Sequence, residues 1–128
     1  MPDVEQPFVL RTDASDKGIG AVLMQEREGS LRPIAYASKK LLGAETRYAI
    51  IEKECLAIVW AIKKFEPYLY GNHFTIETDH QPLQYLKRTK TENGRLMRWA
   101  IRLQQYSFTV KVIKGKENIG ADYLSRTS

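Results

Sequence analysis

Hydrophobic and polar residues change period several times along the chain, and each change marks an element. Phe8 to Asp13, FVLRTD, is β-branched and aromatic and stops at the turn cluster Ala14-Ser15-Asp16-Lys17-Gly18, which predicts a strand ending in an aspartate. Ile19 to Glu26 reads as a second strand, and Glu28-Gly29-Ser30 gives the turn into a third, Leu31 to Ser38. Short turns join all three, so an antiparallel meander is expected. The period then becomes helical over Thr46 to Phe65, with Thr46 expected as N-cap and Tyr70-Gly71-Asn72 as the stop. A fourth strand, His73 to Asp79, also ends in Thr-Asp. Beyond it the pattern predicts a short helix from Pro82 to Lys87, a better one from Arg95 to Tyr106, and a fifth strand from Ser107 to Lys114. A loop from Gly115 to Gly120 and a terminal helix from Ala121 to Arg126 complete the order.

The order βββαβααβα predicts an α/β fold with a mixed five-stranded sheet flanked by helices: three antiparallel strands, then a helix and a parallel strand. A strand, crossover helix and strand connect with right-handed parallel sense, which sets the fourth strand parallel to the first. Their carboxyl ends then share one side, where sites of such sheets lie. Asp13 and Asp79 both stand there.

The long helical stretch contains a misfit. Ile50, Ala57, Ile58, Ala61 and Phe65 fall on one arc, and Glu54 lies in the middle of it, while Glu52 lies on nearly the opposite side. A carboxylate aimed at a core is costly unless something beside it favours negative charge. Asp122, two residues into the last helix, can be delivered to the same region by the fifth strand. Three or four converging carboxylates repel unless cations sit between them. Hard oxygen ligands in that number suit Mg²⁺ or Mn²⁺, and two such ions about 4 Å apart serve in-line phosphoryl transfer. Taken singly, each residue also has an ordinary explanation: Asp13 as a turn residue, Asp79 as a helix cap, Asp122 as a partner of the helix dipole, Glu54 as half of an internal ion pair.

Composition narrows the field without deciding it. The 128 residues, 43% hydrophobic and 27% charged, make one domain of ordinary globular type. A net charge of +5 is compatible with a polyanion partner. The positive charge is concentrated: between Gln81 and Arg102 the sole acid is Glu92, against Lys87, Arg88, Lys90, Arg95, Arg98 and Arg102. Arg95, Arg98 and Arg102 form one helical stripe, either a solvated face or a clamp on a nucleic-acid backbone. Cys55 is the lone cysteine, with no helper histidine nearby, so packing is its expected role and a reducing compartment fits. His73 and His80 are expected as strand-edge and turn residues. No apolar run approaches the ~20 residues of a membrane span and no signal-peptide pattern is present, so no membrane partner and no secretion are expected. The polar start MPDVEQP suggests a piece of a longer polypeptide.

Asp13 in RTDASDKGIGAVL, Glu54 in YAIIEKECLAIVWA, Asp79 in FTIETDHQPL and Asp122 in NIGADYLSR resemble the ordered Asp-Glu-Asp-Asp carboxylates of ribonuclease H domains. More narrowly, YASKKL, RWAIRLQQYSFTV and the ending GKEN-x-x-AD-x-LSR are similar to the RNase H domain of gypsy-type LTR retrotransposon reverse transcriptases. The resemblance runs from Pro7 to Arg126 and implies a single RNase H domain with the RNase H-like fold, cut from a reverse transcriptase polyprotein. It implies hydrolysis of the RNA strand of RNA·DNA hybrids by two Mg²⁺ ions, with Mn²⁺ able to substitute. Asp13 would bridge both ions, Glu54 and Asp79 would complete one site, and Asp122 the other. Ser15 with the adjoining loop backbone would contact the RNA 2′-hydroxyls. The implied partners are the hybrid and a polymerase domain in cis, in the cytoplasm within a virus-like particle or in the nucleus.

Two departures from the pattern stand out. Lys114-Gly115-Lys116-Glu117-Asn118 is short and lacks the histidine that cellular RNases H carry before the last aspartate, and it has Lys-Gly-Lys where gypsy-type domains often have Pro-Gly-Lys. Slower product release or proton handling, with Lys116 contacting phosphate, is the expected consequence. The separate basic handle helix of the cellular enzymes also has no room. A catalytically weak or inactive nucleic-acid-binding or connection module is the alternative expectation. An integrase-type core would need its glutamate last, not second.

Overall fold

A computed structural model of the chain describes residues 6–78 and 82–113. Five strands, β1 (Phe8–Ala14), β2 (Gly18–Arg27), β3 (Ser30–Lys40), β4 (His73–Thr78) and β5 (Ser107–Val112), form one sheet in the order β3-β2-β1-β4-β5. β1 pairs antiparallel with β2 and parallel with β4, and β5 runs parallel to β4. This is the mixed sheet the sequence order predicts. The β2–β3 hairpin closes through Glu28 and Gly29, both at positive φ (54° and 83°), the left-handed pair that matches strand twist in a two-residue loop.

The helical stretch divides differently from expectation. A 3₁₀ turn over Gly43–Arg47 comes first, and the helix proper, α1 (Ile50–Lys64), starts only afterwards with Ala49 at its N-cap position. Thr46 is therefore not the helix cap. Its hydroxyl donates to the Gly43 carbonyl at 2.7 Å and closes the 3₁₀ turn instead. Glu45 holds the same turn by accepting from the Leu42 amide (3.1 Å) and from Lys39 Nζ (2.8 Å). Burial alone would raise the Glu45 pKa, but these bonds and the Lys39 charge outweigh it and bring it below the usual glutamate value. Ile50, placed on the buried arc by the wheel, is 52% exposed because the helix has only just begun there. At the other end, Pro67 lies in a separate turn, α2 (Glu66–Leu69), and Gly71 at φ 84° ends the segment. Among the described residues two more helices follow, α3 (Pro82–Thr89) and α4 (Gly94–Leu103), the latter capped by Asn93, whose side chain accepts from the Leu96 amide at 2.8 Å.

The core lies between the sheet and the helices. Leu10, Leu23, Phe74 and Ile76 from the strands meet Ile58, Ala61, Ile62 and Phe65 of α1 and Leu86, Leu96 and Leu103 of α3 and α4. The direction of α1 over the sheet follows from two contacts. Ala57 packs with Ile19 and Leu41, with Ala14 against the same cluster, whereas the Tyr68 ring meets Phe8 at 5.9 Å. The first turns of α1 thus cover the carboxyl end of β1, and its far end covers the start.

Cys55 sits in this core, 1% exposed, with its thiol donating to the Pro82 carbonyl at 3.2 Å. Burial, joined by the charges of Glu52 and Glu54, pushes the thiol pKa up to about 12. The thiol therefore stays protonated at neutral pH, as a packing role requires. Alkylation by iodoacetamide at pH 8 is expected at least ~100-fold slower in the native protein than in denaturant, because attack needs both opening and ionisation. Equal rates would contradict it.

Candidate nuclease site

Alternation along β1 separates its core side from its charged side. Leu10 packs with the helices and Arg11 turns to the other face, while Asp13, at the carboxyl end of the strand, is only 5% exposed. Arg11 is spent structurally: its Nε and Nη2 donate to Glu77 Oε1 at 2.8 and 2.6 Å, and Lys111 stands 3.8 Å from the other carboxylate oxygen. The three belong to β1, β4 and β5, with Arg11 opposite Glu77 and Glu77 opposite Lys111 in the sheet register. Such a cross-strand row satisfies its own charge. Asp13, two residues further along, lies between Gly20 of β2 and the end of β4.

Glu54 is 2% exposed and faces the sheet from the first turns of α1, the end of the helix that covers the carboxyl end of β1. The buried carboxylate that the helical pattern singled out is therefore buried in fact. The two carboxylates reach one end of the sheet on different elements, Asp13 on its central strand and Glu54 on the helix above. Among the described residues no group of three or more His, Cys, Asp or Glu side chains is placed to hold a metal ion. The other two candidates, Asp79 and Asp122, lie outside the described residues, as do His80, Lys116 and the terminal helix. Asp79 follows Thr78, the last residue of β4, directly in the chain.

The turn after Asp13 is tightly organised. Ser15 donates its amide to the Gly18 carbonyl at 2.8 Å, and its hydroxyl accepts from the Gly18 amide at 3.2 Å. The Lys17 carbonyl accepts from the Leu41 amide at 2.8 Å. A feature that sequence patterning missed reaches this turn from α1: Lys53, 4% exposed, donates Nζ to the Asp16 carbonyl at 3.2 Å. Nothing in the sequence flags a buried lysine beside Glu54, since its acceptor is a backbone atom 37 positions away.

The arginine stripe splits. Arg95 faces inward, donating to Glu52 Oε1 at 3.0 Å and lying over the Tyr48 ring at 4.0 Å and the Trp99 ring at 5.5 Å. Tyr85 donates its hydroxyl to the other oxygen of Glu52 at 3.1 Å, and burial together with that carboxylate raises the tyrosine pKa. Arg98 and Arg102 instead line a groove of about 500 Å³ with Trp60 and Lys63, along the outer face of α1. His73 occupies the β4–β5 edge, its ring nitrogens 2.7 and 2.9 Å from the Ser107 and Thr109 hydroxyls. Glu52 thus joins α1, α3 and α4 although it is remote from the sheet. Glu52→Gln is expected to lower unfolding free energy by about 1–3 kcal/mol, the cost of weakening charged hydrogen bonds, and to spare any activity of the folded protein. Thermal unfolding checks the first part, and an unchanged melting temperature would contradict it.

Residues 3–106 match the model of the RNase H-like domain found in reverse transcriptase. The chain belongs to this family. It is 50% identical over 126 residues to the retrovirus-related Pol polyprotein from transposon 297 of Drosophila melanogaster, covering 98% of this chain and 12% of the polyprotein. The corresponding polyprotein from transposon gypsy of the same organism is 46% identical over 126 residues, with the same shares covered. The chain therefore spans about an eighth of the length of these relatives. In structure it is similar to the PFV RNase H domain solved in solution, with a TM-score of 0.67 at 18% identity over 95% of this chain and 93% of that one. It is also similar to part of the foamy viral protease-reverse transcriptase solved in complex with RNA/DNA hybrid, with a TM-score of 0.72 at 23% identity over 90% of this chain and 16% of that one. At these identities the likeness establishes the RNase H-like fold. No helix among the described residues is long and apolar enough to cross a membrane.

Proposed function

We propose that this RNase H-like domain is an active ribonuclease H that hydrolyses the RNA strand of RNA·DNA hybrids during reverse transcription, in cis with a polymerase domain. The observation that carries this function is Glu54, 2% exposed on the end of α1 that covers the strand end bearing Asp13. Two buried acids at one sheet end each lose hydration on folding, a cost that a bound cation would offset. Anionic oxygen donors fit a hard divalent cation. Asp13, Glu54, Asp79 and Asp122 would hold two Mg²⁺ ions, or Mn²⁺ in their place. When bound, such a pair supplies a nucleophilic water and neutralises charge at the scissile phosphate and the departing 3′ oxygen.

The protein's own part is to place and desolvate. The sheet fixes Asp13 through its pairing with β2, and the core contacts of α1 fix Glu54. Because the Ser15 hydroxyl is engaged within its turn, the loop backbone beside it is the better donor set for RNA 2′-hydroxyls, which distinguish RNA from DNA across the wide minor groove. Arg98 and Arg102, with Lys116, would contact phosphates away from the cut, while Arg95 supports them by fixing α4. An intracellular setting, particle or nucleus, goes with this activity. The test is selectivity: in Mg²⁺ the protein should cut RNA in a hybrid and leave single-stranded RNA and duplex DNA intact. Equal cutting of all three would overturn the proposal, as would binding without cutting even when the domain is joined to its polymerase.

A further inference from the structure

Buried lysines are rare, because transferring an ammonium from water is costly unless it is well paired. Lys53 is 4% exposed. Its side chain crosses to the turn after Asp13, where Nζ donates to the Asp16 carbonyl at 3.2 Å and stands 3.5 Å from Asp16 Oδ1. The Asp16 side chain is 91% exposed, so the carboxylate is screened by water and the buried carbonyl contact is the more specific of the two.

The position of this bond is what gives it a consequence. Lys53 precedes Glu54 on α1, and Asp16 follows Asp13 by three residues in the β1–β2 turn. Further bonds hold this turn from within, through Ser15, and to the Leu41 amide beyond β3. Apolar contact between α1 and this end of the sheet, Ala57 against Ile19 and Leu41, lies beside it. Apolar packing sets the distance between layers but leaves sliding soft, whereas a directional bond pins register.

We infer that Lys53 is a positioning residue of the nuclease site: its bond to the Asp16 carbonyl pins the turn after Asp13 to the helix that carries Glu54. The inference rests on the nuclease function proposed above. The pin acts on the two carboxylates and on the loop backbone facing the substrate, without Lys53 itself meeting substrate. A shift of about 1 Å between catalytic groups can cost a large factor in rate while leaving remote binding contacts in place, so kcat should respond and KM should not.

The test compares wild type with Lys53→Met, of similar length and apolar, and with Lys53→Arg, which keeps charge and donors. For Lys53→Met we expect kcat on a hybrid to fall about tenfold with KM for the hybrid within about twofold, and the Mg²⁺ concentration for half-maximal rate to rise. Independently of activity, amide exchange at Gly18 and Leu41 should quicken about tenfold while exchange in β1 stays unchanged. Lys53→Arg should recover at least about half of the lost kcat. Should the methionine variant not fold, Lys53→Gln, polar but too short to reach, is read in the same way. Wild-type kcat and wild-type turn exchange in a folded variant would overturn the inference alone. A wild-type protein that cuts no hybrid would overturn the nuclease function, and the inference with it.

Discussion

Glu54→Gln is expected to reduce hybrid cleavage at least about a thousandfold, as is Asp13→Asn, with both variants folded. An amide keeps the shape of the carboxylate but not its charge, and a carboxylate that helps hold a catalytic divalent ion contributes several kcal/mol of transition-state stabilisation. The fold should survive because the apolar core stands without it: Ile58, Ala61 and Ile62 of α1 lie in the same buried cluster as Leu10 and Ile76. Circular dichroism and thermal unfolding check the fold, and initial rates on a labelled hybrid check the chemistry. A folded Glu54→Gln protein cutting at wild-type rate would show that the helix serves the core alone. The contrast with Glu52→Gln matters here, since the two glutamates are two residues apart and only one faces the sheet.

Phe74→Ala carries the largest expected effect on stability. Its side chain is 0% exposed at the start of β4, where its ring meets Phe108 at 5.7 Å and Tyr106 at 6.4 Å. Removing it leaves a cavity bounded by β1, β5 and the C-terminal end of α4, and costs about 3–5 kcal/mol in buried area and lost ring contacts. That is a large fraction of the ~5–15 kcal/mol by which a domain is usually stable. Denaturant unfolding should show a midpoint well below wild type with an unchanged slope. A shift of less than about 1 kcal/mol would mean that the neighbouring rings close over the gap.

How much of this was legible beforehand differs by element. Strand starts and the hairpin were readable because alternation and the Glu28-Gly29 turn are local signals, and the parallel pairing of β4 with β1 follows from the handedness of crossovers. The burial of Glu54 was readable because a helix wheel needs only spacing. The start of α1 was not: Thr46 has the composition of a cap, but Lys39, reaching from β3 to Glu45, stabilises a 3₁₀ turn there instead. The stripe of arginines was equally misleading as a unit. Spacing placed Arg95, Arg98 and Arg102 on one face, yet Tyr48 and Glu52 draw Arg95 inward, a tertiary effect that periodicity does not carry. Lys53 shows the same limit from the other side, since a lysine bound to a distant backbone carbonyl leaves no trace in pattern or composition.

In the proposed function the buried carboxylates at the end of β1 and on α1 serve divalent-ion hydrolysis of hybrid RNA. The most direct measurement is the cleavage rate of a labelled RNA·DNA hybrid as Mg²⁺ is titrated into metal-free protein. No cleavage is expected in EDTA, a rise to saturation with Mg²⁺, and no such rise for Glu54→Gln. Full cleavage in EDTA would contradict it.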